Sequence, residues 1–265
     1  MKRIGFIGAG NMATAIIKGL IAHNGTADFI NVYDVSEEKL SAMRELGANP
    51  CESSQNVVSH SDIIVLAVKP QNYAEVLEDI KPCVDRNKTF VSIAAGISIA
   101  YVQNALSCQC PVVRVMPNTP LLLMKGASAL CPSENISEED RQTVYEMFAG
   151  SGVCEYITEE HMNEIIAVNG SSPAYIYLFA KAMADYAESK GIGYDKAMNL
   201  VCATLEGAAA MLRESGDSAD VLIQKVSSKG GTTIAALEKL REHGFTEAIF
   251  DAMEACTQRA EELGK

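Results

Sequence analysis

The chain has 265 residues, 48% of them hydrophobic and 21% charged, with a formal net charge of −12. That length can bury a sizeable core in one large or two modest domains, and the acidity excludes non-specific binding to nucleic acid or an anionic membrane, which need a basic surface. No run reaches the roughly 18–20 apolar residues of a membrane span, the leading apolar run is too short for an export signal, and eight cysteines without zinc spacing read as reduced thiols of a cytoplasmic protein with no metal site.

Residues 2–7 form an apolar run ending in glycine, which predicts a strand, and residues 11–22 carry apolar side chains at helical spacing. Residues 31–34 predict a second strand. Ser36 then reads as the N-cap of a helix that opens with Glu37, Glu38 and Lys39 and runs to residue 46. Apolar, β-branched runs at 63–68 and 89–94 suit central parallel strands buried on both faces. Residues 112–116, 126–131 and 153–157 predict three more strands. Helical patterns fill 53–59, 72–80 and 98–106, and Ser137 caps a helix reaching residue 148. Such alternation implies a doubly wound, mostly parallel α/β sheet.

Beyond residue 158 strand candidates vanish. Helices are predicted over 173–190, 195–215, 219–225, 232–243 and 246–263, with Pro173 in a first turn and Ser171 or Ser172 as its cap. The expected organisation is a dinucleotide-binding domain of residues 1–160 followed by an all-α domain of residues 161–265.

Two glycine-rich segments carry the chemistry. Gly8-Ala9-Gly10-Asn11-Met12-Ala13 is G-x-G-x-x-A between a strand and a helix. Gly8 permits the tight turn, Gly10 the approach of a pyrophosphate, and Ala13 close helix–strand packing, which makes the first domain Rossmann-like. Asp34, ending the second strand, favours the ribose hydroxyls of NAD over the 2′-phosphate of NADP, while Ser36 and Lys39 just beyond could meet a phosphate. Further cofactor candidates lie at strand ends: Ala67-Val68-Lys69-Pro70, Ala94-Ala95-Gly96, where a ring could lie, and Asn118 in Met116-Pro117-Asn118-Thr119-Pro120.

The second segment is Ser228-Lys229-Gly230-Gly231-Thr232-Thr233. Glycines turn consecutive N–H groups toward one point, the following helix start adds its dipole, and the threonines add hydroxyl donors, so the segment is suited to a small anion. None of the four histidines has metal spacing or a carboxylate partner evident from sequence. The reaction is therefore one that hydride placement and anion binding can carry.

These stretches, with Arg114-Val115-Met116-Pro117-Asn118-Thr119-Pro120 and Gly170-Ser171-Ser172-Pro173-Ala174-Tyr175, give the chain a resemblance to the pyrroline-5-carboxylate reductases along almost its full length. The resemblance implies NADPH- or NADH-dependent reduction of 1-pyrroline-5-carboxylate to L-proline, the last step of proline biosynthesis. It implies a helical domain that forms a tight dimer, with dimers assembling into decamers. It places the substrate carboxylate on Gly230, Gly231, Thr232 and Thr233, and the cofactor on Ile7, Gly8, Ala9, Gly10, Asn11, Met12, residues 67–70 and residues 94–96. Thr233 and Ser171 are the polar candidates for a catalytic proton donor. Three residues depart from the family pattern: Lys229 where proline is usual, Asn169 where serine is common, and Asp34, which predicts that NADH works at least comparably to NADPH. Competing readings are a related imine reductase, a β-hydroxyacid-dehydrogenase type of reductase, and a dinucleotide-binding sensor without turnover.

Overall fold

The computed structural model describes residues 2–264; Met1 and Lys265 lie outside the described residues. In chain order come β1 (Ile4–Ile7), α1 (Asn11–Asn24), β2 (Ile30–Tyr33), α2 (Glu37–Glu45), β3 (Asn49–Pro50), α3 (Ser54–Ser59) and β4 (Ile63–Leu66). These are followed by α4 (Tyr73–Ile80), β5 (Thr89–Ser92), α5 (Ile99–Leu106), β6 (Val112–Met116), β7 (Gly126–Pro132), α6 (Glu138–Ala149) and β8 (Gly152–Tyr156). The chain continues with α7 (Ser172–Ser189), α8 (Tyr194–Glu214), α9 (Ala219–Lys225), α10 (Thr232–Glu242) and α11 (Phe245–Leu263).

Among the described residues the strands form one sheet in the order β3-β2-β1-β4-β5-β6-β7-β8. Neighbouring strands run parallel except β6 and β7, which are antiparallel. β1 pairs with β2 on one side and β4 on the other. The winding therefore reverses between β1 and β4, and this opens a crevice at their C-terminal ends.

The central strands read IGFI, IIVL, TFVS and VVRVM and are buried on both faces. On one face Phe6, Val65, Val91 and Val113 pack with Ile16 and Ile17 of α1 and Phe148 of α6. On the other, Ile64, Leu66 and Phe90 pack with Tyr73 and Leu77 of α4 and Val102 of α5. Each fully buried side chain of this size contributes about 1.5–3 kcal/mol before the entropic cost of ordering it.

Ser53, Ser98, Ser137 and Ser218 each accept a backbone N–H in the first turn of α3, α5, α6 and α9. Two expected caps behave differently. Ser36 stands at the N-cap of α2 but makes no side-chain cap bond. Ser172 lies inside α7, and its hydroxyl donates to the Val168 carbonyl at 2.6 Å. That carbonyl belongs to a π-helical turn, Ile166–Gly170, which leads into α7.

Contacts divide the chain into two compact units. The first carries the sheet, runs through Pro173 and includes the chain from Glu254 onward; the second is Ala174–Met253. In the second unit large apolar side chains stay exposed, among them Leu178 at 70%, Leu200 at 69% and Phe250 at 71%. No helix among the described residues is long and apolar enough to cross a membrane.

Candidate functional site

At the end of β1, Gly8 takes φ +103° and donates its N–H to the Tyr33 carbonyl at 2.7 Å. The Ala67 N–H in turn donates to the Ile7 carbonyl at 2.8 Å. A Cβ on Gly8 would stand 2.6 Å from the Ala67 carbonyl oxygen, so a side chain here would force β1 and β4 apart. α1 starts at Gly10, with no side-chain cap and no acid in its first turn. The space beyond the Gly10 Cα is open. Asn11 and Met12 thus begin a 14-residue helix whose leading N–H groups are left for an anion.

A cavity of about 610 Å³ opens at this crevice, lined by Ile7, Gly8 and Gly10, by Asp34, Val35 and Lys39 beyond β2, and by Ala67, Val68 and Lys69 beyond β4. Pro70 begins a short 3-10 turn beside it. These residues fit a dinucleotide: an uncapped helix start for the pyrophosphate, a carboxylate for ribose, and the exposed Val35 as an apolar shelf. A larger cavity of about 780 Å³, lined by Ile99, Gln103, Cys131, Tyr156 and Glu159 among others, contains neither glycine segment.

Asp34 is turned toward the loop. Its carboxylate accepts the Ala9 N–H at 2.8 Å and the Ser36 N–H at 2.9 Å, and pairs with Lys39 Nζ at 3.2 Å. Burial pushes its pKa up, but the two N–H bonds and Lys39 together outweigh that and hold it below the ordinary 3.8. Ser36 therefore contributes its backbone N–H to the site's geometry in place of a side-chain cap.

At the ends of β4 and β5 the organising residue is Tyr73, which the sequence pattern marks only as helical. Its buried hydroxyl donates to the Leu66 carbonyl at 2.8 Å and meets Ser92 Oγ at 3.1 Å. Burial raises its pKa, so it stays a phenol. Of the three small residues that follow β5, Ala94 and Gly96 are buried and Ala95 is half-buried. Gly96 does not offer an open face: a Cβ there would lie 2.3 Å from the Ala260 carbonyl of α11. Its smallness admits the chain's own last helix.

Asn118 is likewise engaged. Its Oδ1 accepts the Ala127 N–H at 2.9 Å and its Nδ2 donates to the Asn169 carbonyl at 3.1 Å. Asn169 Nδ2 donates to the Met116 and Ala127 carbonyls at 2.7 and 2.9 Å. This pair of amides welds the ends of β6 and β7 to the π-helical turn, work that a serine at 169 is too short to do. The Ser171 hydroxyl accepts from the Cys256 thiol at 3.2 Å, which leaves its own proton free to donate. Neither Asn169 nor Cys256 carries a local sequence signal for these contacts.

In the second unit, Gly230 takes φ +72° and Gly231 is the N-cap of α10. Again there is no side-chain cap and no acid in the first turn. The Gly231 N–H donates to the Ser228 carbonyl at 2.9 Å, closing the turn. Thr232 is exposed and Thr233 half-buried in the first turn, with Lys229 exposed beside them. Hydroxyls, leading N–H groups and a cation here can hold a carboxylate. Ser171 belongs to the first unit and Thr233 to the second.

Comparison with known proteins bears on both units. Residues 159–263 match the family model described as pyrroline-5-carboxylate reductase dimerisation, and residues 3–96 that described as NADP oxidoreductase, coenzyme F420-dependent. The pyrroline-5-carboxylate reductase of Escherichia coli is 38% identical over 266 residues, covering 100% of this chain and 99% of the relative. The solved structure of such a reductase from Coxiella burnetii aligns with a TM-score of 0.91 at 32% identity, covering 100% of this chain and 99% of that one. A Plasmodium falciparum pyrroline carboxylate reductase, solved with NADP bound, aligns at 0.92 and 29% identity over 100% of this chain and 98% of that one. With both glycine segments on helix starts and identity sustained from end to end, the chain belongs to the pyrroline-5-carboxylate reductase family.

Proposed function

We propose that this chain reduces 1-pyrroline-5-carboxylate to L-proline with NAD(P)H, the closing step of proline biosynthesis. The observation that carries the reading is the start of α10. A helix of 11 residues opens on Gly231 with no side-chain cap and no acid in its first turn, followed by two threonines. Gly230, Gly231, Thr232 and Thr233 hold the substrate carboxylate through N–H groups and hydroxyls. Residues 7–12, 67–70, Ala94 and Ala95, with Asp34, hold the cofactor, Gly96 serves instead to admit the last helix, and Asn118 acts on the cofactor through the loop it braces.

Bound NAD(P)H supplies the hydride that reduces the imine carbon. A protonated imine is already an electrophile, so the protein's task is alignment, and orientation can remove roughly 7–11 kcal/mol of barrier at the upper end. Thr233 and Ser171 are the hydroxyls assigned to the ring nitrogen: either can donate to an imine that arrives unprotonated and so make it the electrophile, and Cys256 orients Ser171. No acid–base dyad is needed.

The exposed apolar side chains of the second unit form the self-association surface, since a solitary chain rarely leaves so much apolar area in water. We read it as a dimer interface, with dimers assembling to decamers, in the cytoplasm, where its eight free cysteines stay reduced. Sedimentation velocity tests the assembly; a monomer at micromolar concentration would refute it.

The activity test is NAD(P)H oxidation with pyrroline-5-carboxylate, run beside 2-hydroxyacids and a pyrroline lacking the carboxylate. Turnover of the first alone is expected. Turnover of a 2-hydroxyacid in its place would favour the β-hydroxyacid type of reductase, and cofactor binding without turnover would favour a sensor.

A further inference from the structure

Each oxygen of Asp34 is held firmly by the backbone and loosely by one side chain. One backbone N–H, from Ala9 or Ser36, fixes each oxygen at 2.8 or 2.9 Å. The rest of their acceptor capacity is taken by a single group, Lys39 Nζ, at 3.2 and 3.4 Å. Charge-assisted N–H···O bonds usually close to about 2.7–2.9 Å, so the Lys39 contact is loose. The Lys39 side chain is half exposed and flexible, whereas that of Asp34 is 8% exposed. A carboxylate offers about four acceptor positions, so two remain that a pair of neighbouring hydroxyls can take from the lysine.

The cavity walls carry more acidic than basic side chains. Asp34, Glu75 and Asp79 line it, against Lys39 and Lys69, and no arginine is among its lining residues. Asp79 is also fixed in place, accepting from Ser54 Oγ and from Gln55 Nε2. A 2′-phosphate would bring about two more negative charges to a wall whose nearest cation is already paired.

We infer that Asp34 makes this site select NADH over NADPH by offering two acceptor positions to the ribose diol, and that Lys39 is a 2′-phosphate ligand silenced by its pairing with Asp34. The inference rests on the reading of this crevice as the dinucleotide site and goes beyond it by assigning the discrimination to one ion pair. Asp34 acts at the same time as a positioning residue, because the Ala9 N–H it holds belongs to the glycine loop. Removing its charge therefore has two separable effects: it loosens the loop toward both cofactors alike, and it releases Lys39 toward the phosphorylated one alone.

The chain has no tryptophan, so binding of NADH and NADPH can be followed by the cofactor's own emission, with adenosine 2′,5′-bisphosphate and adenosine 5′-diphosphate as displacing probes. Wild type is expected to bind NADH at least about tenfold more tightly than NADPH, the cost of a like charge set against Asp34. Asp34→Ser is expected to reverse the order, and adding Lys39→Met to Asp34→Ser to abolish the gain for NADPH and for adenosine 2′,5′-bisphosphate. Equal or tighter binding of NADPH by wild type would overturn the inference, as would a gain in Asp34→Ser that survives the loss of Lys39. Should Asp34→Ser lose the loop, NADH binding falls with it and the wild-type ratio decides. Failure to bind either cofactor would sink the proposed function instead.

Discussion

α1 and α10 both open on a glycine, without a side-chain cap and without an acid in the first turn, yet they are built in different ways. The start of α1 is set by tertiary contacts: Gly8 is pressed against the Ala67 carbonyl, Ala9 is held by Asp34, and β1 and β4 are tied by Ala67 to Ile7. The start of α10 is set locally, by the Gly231–Ser228 turn and the positive φ of Gly230, and it is dressed with Lys229 and two threonines. The difference matches the ligands proposed. A large cofactor needs a rigid crevice that spans strand ends, and its pyrophosphate asks only for N–H groups and a dipole. A small imino acid needs several donors converging from one short segment.

The comparison can be broken most sharply at Gly8. Gly8→Val combines an unfavourable φ with a clash against backbone, each costing about 1–3 kcal/mol, so NADH affinity should fall roughly a hundredfold by fluorescence titration. Substrate-loop residues should show no such effect. Thr233→Ala removes one hydroxyl facing a charged ligand, worth about 1.5–3 kcal/mol, and should lower kcat/KM for pyrroline-5-carboxylate about tenfold or more. Cofactor affinity should stay nearly unchanged; a parallel loss would mean that α10 serves the cofactor.

Tyr73→Phe tests the brace beneath the first site. It leaves the buried Leu66 carbonyl without its hydroxyl donor, at a cost of about 1–3 kcal/mol, read as a lower urea midpoint with α10 function intact. Lys229→Met should raise the substrate KM about two- to fivefold, as expected for a cation near an exposed anion site worth roughly 0.3–1 kcal/mol. No change would make Lys229 a bystander of the turn. The smallest effect concerns acid. Because the Asp34 pKa lies below its ordinary value, its stabilisation is complete above about pH 4 and fades as pH falls through the lower folded value. Asp34→Asn should flatten that part of an acid unfolding curve.

Much of this was legible in the chain itself. The run 112–116 coincides with β6 and 219–225 with α9, because a strand buried on both faces is uniformly apolar and a helix between turn residues carries its own punctuation. The G-x-G-x-x-A and Gly-Gly-Thr-Thr segments were visible because the helix starts they make depend on backbone geometry that only certain residue types allow. The antiparallel β7, the two-residue β3 and the π-helical turn were not, since strand direction and helix pitch leave no period in the side chains.

The amino-acid sequence by itself determined where the helices start, which strands are central, and which two glycine-rich segments open a helix, because each rests on local backbone preference or a repeating apolar pattern. Tertiary structure alone decided what those residues face. It turned Asp34 onto Ala9 and Lys39, closed Gly96 against Ala260, joined Asn118 to Asn169 across 51 positions of chain, and brought Cys256 to Ser171 across 85. Such contacts arise from packing between distant segments, and no neighbour in sequence announces them.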